Sequence, residues 1–232
     1  MRELPILFNA PMVRAILEGR KTVTRRVAKG MALDWLAEGM FTPAYVADPG
    51  NGLCPYGQVG DRLWVKEGHA LEHAVDGAEP PHADGRPILH RPDDDVDGVH
   101  PLWTQPHYRA TDPAPDLTCE RPACAQCRDH DMGPHWRSPI HMPRWASRIT
   151  LEVTAVRVER LQDITEDEAQ AEGVAPGFLC EDDVVRASAR YVNGFRMLWD
   201  DLAKDGTRWA DNPWVWVVEF RRIETEVPYG GG

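Results

Sequence analysis

The pattern of apolar and polar positions changes period several times along this chain, and each change predicts an element. Pro5 to Phe8 make an apolar run of strand length. In "APMVRAILEG", Val13, Ile16 and Leu17 fall on one helical stripe, with Pro11 in the first turn and Gly19 just past the end. Those are the places where proline and glycine suit a helix. "KTVTRR" is β-branched and alternating, which predicts a strand. Lys21 then stands at a helix-to-strand corner, where a side chain can be aimed without being packed. Residues 28 to 60 read as loop and end in a Gly60-Asp61 turn. The strand "RLWVKE" follows, with Leu63 and Val65 on one face and Trp64 on the other.

From about residue 68 to 136 the periodicity fades into Pro, His, Asp and Gly, which reads as a long insertion. "RITLEVTAVRVERL" resumes as a long alternating strand. Thr165 and Glu168 then form a capping box, acids fill the first turn and Gly173 closes a short helix. In "YVNGFRMLWDDL" the residues Tyr191, Phe195, Leu198 and Leu202 repeat at helical spacing. "PWVWVVEFRRI" is nearly continuous in apolar residues, the mark of a strand buried on both faces. Strands and helices in this order, without βαβ alternation, favour an α+β fold: a small β-barrel with helices on its rim. The expected organisation is one domain over residues 1–227, interrupted at about 68–136, with a flexible tail at 228–232.

Composition narrows the setting. The 232 residues include no apolar run of about 18, so no membrane-spanning helix is expected. The apolar stretch near the N-terminus is too short for a signal peptide and Pro11 interrupts it, which predicts a soluble cytoplasmic protein. An odd five cysteines do not suggest a secreted disulfide framework. The formal net charge of −11 argues against sequence-blind duplex binding. Yet Arg14, Arg20, Lys21, Arg25, Arg26 and Lys29 face only Glu18 in residues 14 to 29, and residues 133 to 151 hold Arg137, Arg144 and Arg148 with no acid. A basic cleft on an acidic body suits one nucleotide or a short single strand.

The segments "ILEGRKTVTRR", "GDRLWVKE", "RWASRITLEVTAVRVERLQDITEDEAQAEGV" and "WVWVVEF" occur in that order and spacing. Together they resemble the ASCH-domain proteins of the PUA-like superfamily, and the forms "ILFNAPMVRAILEGRKTVTRR" and "HMPRWASRITLEV" resemble a subgroup found in phages and prophages. The resemblance covers most of 1–67 and 137–223 and leaves the insertion unmatched. It implies a PUA-like barrel with a nucleoside or nucleic-acid ligand. One enzymatic branch hydrolyses the acetamide of N(4)-acetylcytidine with a lysine and a threonine of its K-T-x-T segment and a glutamate near the end of a short helix. Those roles fall on Lys21, Thr24 and Glu172. This chain is considerably longer than that branch.

The residues themselves bear on the chemistry. Amide hydrolysis needs a nucleophile, a base and an acid for the leaving amine. Lys21, crowded by Arg20, Arg25 and Arg26, is expected to have its pKa pushed down, as base or, left charged, as oxyanion partner. Glu172 ends a helix already rich in acids, which pushes its carboxyl upward and suits a proton shuttle. The plainer alternative makes them an exposed corner, a strand residue and a solvated helix end. Arg25 and Arg26 alternate, so only one of them can face a given ligand.

His141, Arg144 and Trp145 together offer a ring, a fork of donors and a stacking surface for a base, unless Trp145 is core and Arg144 is paired. Trp64 is expected in the core, and Glu67 is a secondary pocket candidate. In the insertion, Cys119, Cys124 and Cys127, with His130 and His135 behind them, suggest a structural zinc, although the gap before His130 is tight. No cofactor is expected for catalysis. Cys54 and Cys180 read as isolated thiols. The expected partner is a modified cytidine or a single-stranded nucleic acid. A non-catalytic binding module, a ribonuclease and an accessory protein that contacts host proteins through the insertion are the rival readings.

Overall fold

The computed structural model describes residues 1–75, 101–112, 136–178, 180–181, 184–185 and 189–223. Along them run β1 (Glu3–Leu7), α1 (Ala10–Leu17), β2 (Val23–Val27), α2 (Met31–Ala37), α3 (Pro43–Val46) and β3 (Arg62–Lys66). Then come β4 (His69–Val75), β5 (Pro101–Tyr108), β6 (Thr150–Arg160), α4 (Glu166–Ala171), β7 (Cys180–Glu181), β8 (Val184–Val185), α5 (Tyr191–Leu202) and β9 (Trp214–Ile223). The fold is α+β, with a five-stranded sheet ordered β1-β3-β6-β9-β2. Among the described residues no pairing joins β1 to β2, and the sheet is not closed into a barrel by them.

The chain divides into two compact units, the first made of Met1–Leu4, Ala15–Leu63 and Leu151–Ile223. In it β2 pairs antiparallel with β9, Val23 opposite Glu219 and Arg25 opposite Val217. Alternation sends Val23, Val215 and Val217 to one face, where they pack with Leu161, Ala169 and Phe195. Trp216, on the other face, packs with Ala28, Ala32, Leu36, Val46 and Val158. β9 is thus buried on both faces, as its apolar run predicts.

Residues 28 to 60, expected as loop, hold two helices of 7 and 4 residues. Elements so short show less than two turns of periodicity. They form because Ala32 and Leu36 are buried and because the Thr42 side chain accepts the Tyr45 N–H, with Pro43 in the first turn.

The second unit is Pro5–Arg14, Trp64–Thr150 and Glu224–Gly232. Part of the expected insertion is regular here: β4 and β5 pair antiparallel, with His69 opposite Tyr108 and Ala70 opposite His107. Strands this rich in His, Glu and Gln lack the apolar alternation that marks a strand in sequence. Tyr108, Met142 and Ala146 form a small core, with Trp145 packed against it. The expected zinc ligands Cys119, Cys124, Cys127, His130 and His135, and the tail at 228–232, lie outside the described residues.

Candidate functional site: a buried lysine–glutamate pair at a sheet edge

β2 is the last strand in the sheet order, and its leading end is completed by the end of α4. Thr22 N–H donates to Ala171 O at 2.9 Å, and Lys21 bridges to Glu172 in antiparallel fashion. α4 is positioned by its capping box: the Thr165 hydroxyl accepts the Glu168 N–H, and the Glu168 carboxylate accepts the Thr165 N–H. Gly173 then turns the chain with φ +80°, as the helix-stop signal predicts. A Cβ at Gly173 would lie 2.8 Å from Ala15 Cβ and 2.9 Å from Lys21 Cβ. The turn therefore needs glycine both for its backbone and for the approach of Lys21.

The expectation of an unpacked Lys21 is corrected. The residue is only 2% exposed and Glu172 only 5%. Lys21 Nζ donates to Val23 O at 2.8 Å, to Glu172 O at 3.0 Å and to Glu172 Oε2 at 2.5 Å. Three acceptors match the three donors of an ammonium. Burial pushes the Lys21 pKa below its ordinary value; the Glu172 carboxylate opposes this, and Arg26 and Arg25 add to it.

Arg25 is also buried and is directed inward. Its Nη1 reaches Glu172 Oε1 at 3.5 Å, while Nη2 meets Glu159 Oε1 at 2.7 Å and Glu168 Oε2 at 3.0 Å. Arg157 ties Glu159, Glu168 and Glu219 into the same network. Although burial raises the Glu168 carboxyl, the Thr165 N–H and the Arg25 and Arg157 charges hold it below the usual range. Glu159, Arg157 and Glu219 were not singled out from sequence, and Glu168 was read only as half of a helix cap. The available signal was opposite charges two apart on one strand face, Arg157 and Glu159, flanking the buried Val158.

Arg26 points to the opposite face of β2 from Arg25, as alternation requires. Burial lowers its pKa, while the Glu172 charge and Tyr56 raise it. Glu172, at the sheet edge, thus feels cations from both faces. Thr24 is 1% exposed and its Oγ1 has no hydrogen-bond partner among the described residues. It follows the Val23 carbonyl that Lys21 Nζ contacts. A concave region of about 290 Å³ begins at Thr22, Val23 and Ala171, and Asp167, Glu168 and Glu219 line it. Carboxylates there disfavour a phosphate and suit a neutral ligand with N–H donors.

The other expected residues lie in the second unit, in surroundings of their own. Glu67 is 1% exposed and Arg148 clamps it in a two-pronged pair, Nε to Oε1 at 2.9 Å and Nη2 to Oε2 at 3.0 Å. Burial raises its carboxyl, Arg148 works against that, and Asp112 adds to it. The Arg148 guanidinium lies 3.9 Å from the Tyr108 ring centre. Trp145 packs on the Tyr108 core, while Arg144 lies over Trp64. Trp64, expected in the core, is half-buried. Among the described residues no group of three potential ligands could hold a metal ion, and no helix is long and apolar enough to cross a membrane.

Fold and site together define an α+β protein with a buried Lys–Glu pair and an arginine-centred ion network at the edge of its sheet. Compared with known families, curated proteins and solved structures, the chain matches none.

Proposed function

We propose that this chain hydrolyses the exocyclic amide of an N-acylated cytosine nucleoside such as N(4)-acetylcytidine, on a PUA-like frame of which the five-stranded sheet is part. The observation that carries the reading is the buried Lys21–Glu172 contact at 2.5 Å, with the Lys21 pKa lowered by burial and an unpartnered Thr24 hydroxyl nearby in the chain. Water attacks the acyl carbon, a C–O bond forms and the C–N bond breaks, giving acetate and the free cytosine amine. Glu172 takes the proton of the water and passes it to the leaving nitrogen. Lys21, held as an ammonium, stabilises the developing oxyanion charge. Among the described residues Thr24 Oγ1 has no hydrogen-bond partner to act as its base, which favours its orienting the water over its attacking the carbonyl. Arg25 fixes the Glu172 carboxylate through Oε1.

A second reading is favoured by the full engagement of the three Lys21 donors. Under it the pair is a strut tying α4 to β2, and the protein binds its ligand without turnover. Incubation with N(4)-acetylcytidine, with cytidine release followed by chromatography, separates the two. Release by wild type, and its loss in Lys21→Ala, Thr24→Ala and Glu172→Ala, supports the hydrolase. No release by a folded wild-type protein removes this substrate and leaves the strut.

A further inference from the structure

The two short helices of the first unit leave an apolar face uncovered. Ala32, Leu36 and Val46 pack with Val158 and Trp216, and Trp35 and Phe41 rest partly against the same core. In α2 the positions Met31, Asp34, Trp35 and Glu38 are spaced i, i+3, i+4 and i+7, so they share a face turned away from Ala32 and Leu36. Met31 is 56% exposed, Met40 52% and Tyr45 47%. Three rings bind these side chains into one patch. Phe41 stacks on Tyr45 with centres 4.7 Å apart, and Trp35 lies 4.5 Å from Phe41 and 6.2 Å from Tyr45. Met31 stands one helical turn before Trp35, and the Met40 N–H donates to the Trp35 carbonyl at 3.2 Å. Rings in direct contact leave no room for a cation among them, so the patch is a contact surface and not an aromatic cage. Just past α3 a small cavity of about 80 Å³ is lined by Ala47, Asp48, Leu53, Val59 and Val156. Arg2 also lines it and is paired with Asp61.

The charge in this segment has one sign. Between Gly30 and Gly60 the chain carries Asp34, Glu38 and Asp48 and no Lys, Arg or His. All three acids are exposed. Asp34 and Glu38 form no ion pair with another described residue, while Asp48 Oδ1 accepts the Gly50 N–H at 2.7 Å. That sign narrows the choice of occupant. It repels the phosphates of a nucleic acid and the headgroups of an anionic membrane. A second copy docking through the same patch would set these acids against their own equivalents. A protein segment that carries Lys or Arg beside apolar side chains satisfies the carboxylates and covers the rings together. The two exposed methionines, unbranched and polarizable, suit such a contact.

We propose that the α2–α3 face docks a cationic amphipathic segment of a partner protein. Its apolar side chains cover Met31, Met40 and Tyr45, and its basic ones meet Asp34, Glu38 and Asp48. The surface uses none of the residues assigned to hydrolysis, so it stands or falls apart from that reading.

The test is fluorescence anisotropy of a labelled helical peptide of leucine and lysine, about fourteen residues long, on the full chain in physiological salt. Peptides of leucine with glutamate and of serine with lysine are the controls. Wild type is expected to bind the leucine–lysine peptide roughly tenfold or more tighter than either control. Asp34→Lys/Met31→Ser and Glu38→Lys/Met40→Ser, one at each end of the patch, should each weaken that binding roughly tenfold or more. Asp201→Lys/Met197→Ser makes the same kind of change at two exposed positions of α5 and leaves binding unchanged. Should a double variant not fold by circular dichroism, the single exposed changes Glu38→Gln and Met40→Ala carry the test. No binding of the leucine–lysine peptide, equal binding of the serine–lysine peptide, or equal weakening by the α5 variant overturns the proposal. A dimer seen by sedimentation and lost in the patch variants also overturns it, in favour of a second copy.

Discussion

The charge of Glu172 is expected to be indispensable to the fold only while Lys21 is present. Glu172→Gln takes from the Lys21 ammonium, 2% exposed, its 2.5 Å contact with a carboxylate and keeps its bonds to the carbonyls of Val23 and residue 172. Breaking a buried ion pair by removing one partner costs about 3–5 kcal/mol. Lys21→Met is expected to cost less than Glu172→Gln, because Arg25 still faces Glu172 Oε1. The double variant Lys21→Met/Glu172→Leu replaces both charges with apolar volume and should recover most of the loss. Urea unfolding followed by tryptophan fluorescence measures the cycle, and the larger single-variant cost corresponds to a fall in Tm of roughly 10 °C in a chain of this size. The pH dependence has a definite sign. Lys21 is held below its ordinary value of 10.5, so below that pH the folded state binds fewer protons than the unfolded state. Stability therefore rises as pH climbs through the folded pKa toward 10.5, and Lys21→Met removes that rise. Single variants that each cost less than about 1 kcal/mol, or a double variant as costly as their sum, would refute the reasoning by showing that water reaches the pair.

Three further outcomes follow from the geometry. Thr24→Val removes a buried hydroxyl with no partner among the described residues, so the fold should be unchanged or stabilised by about 1 kcal/mol, while cytidine release is lost; a clear drop in urea midpoint would mean that the hydroxyl is bonded in solution. Gly173→Ala meets a positive φ and the Cβ atoms of Ala15 and Lys21, and should cost about 2–4 kcal/mol; a midpoint within experimental error of wild type would refute the close approach. His69 is 0% exposed, and burial first, then the Arg137, Lys66 and His141 charges, hold it below its ordinary 6.5. Its folded state binds fewer protons, so its contribution is full above that value and is lost as pH falls. The difference in urea midpoint between wild type and His69→Gln should shrink on acidification, and a difference that does not change with pH would show that the ring is solvated.

Much of the fold was legible because the signals are local. The Thr165–Glu168 box, Gly173 and the stripe of α5 act within a few residues of themselves, and the alternation of β6 and the continuous apolar run of β9 record directly how many faces each strand buries. Where burial and hydrogen bonding are shared among short or polar segments, the record is faint. α2 and α3 span too few turns to show a period, and β4 and β5 pair through residues that read as solvent-facing.

The candidate site divides in the same way. Lys21, Thr24 and Glu172 were nominated through the family resemblance of their segments, and the sequence also determined that Arg25 and Arg26 leave β2 on opposite faces. Whether Lys21 is exposed or buried, and whom Arg25 meets, depends on the end of α4 closing against the leading end of β2, a contact 151 residues apart in the chain. Likewise, the sequence assigned Trp64 to the core and left Trp145 as either a core residue or a stacking surface. Only packing decided that Trp145 rests on the Tyr108 core while Trp64 gathers Lys66 and Arg144. Local chemistry sets which conformations and charges are available, whereas desolvation and pairing are properties of the neighbours that the folded chain brings together.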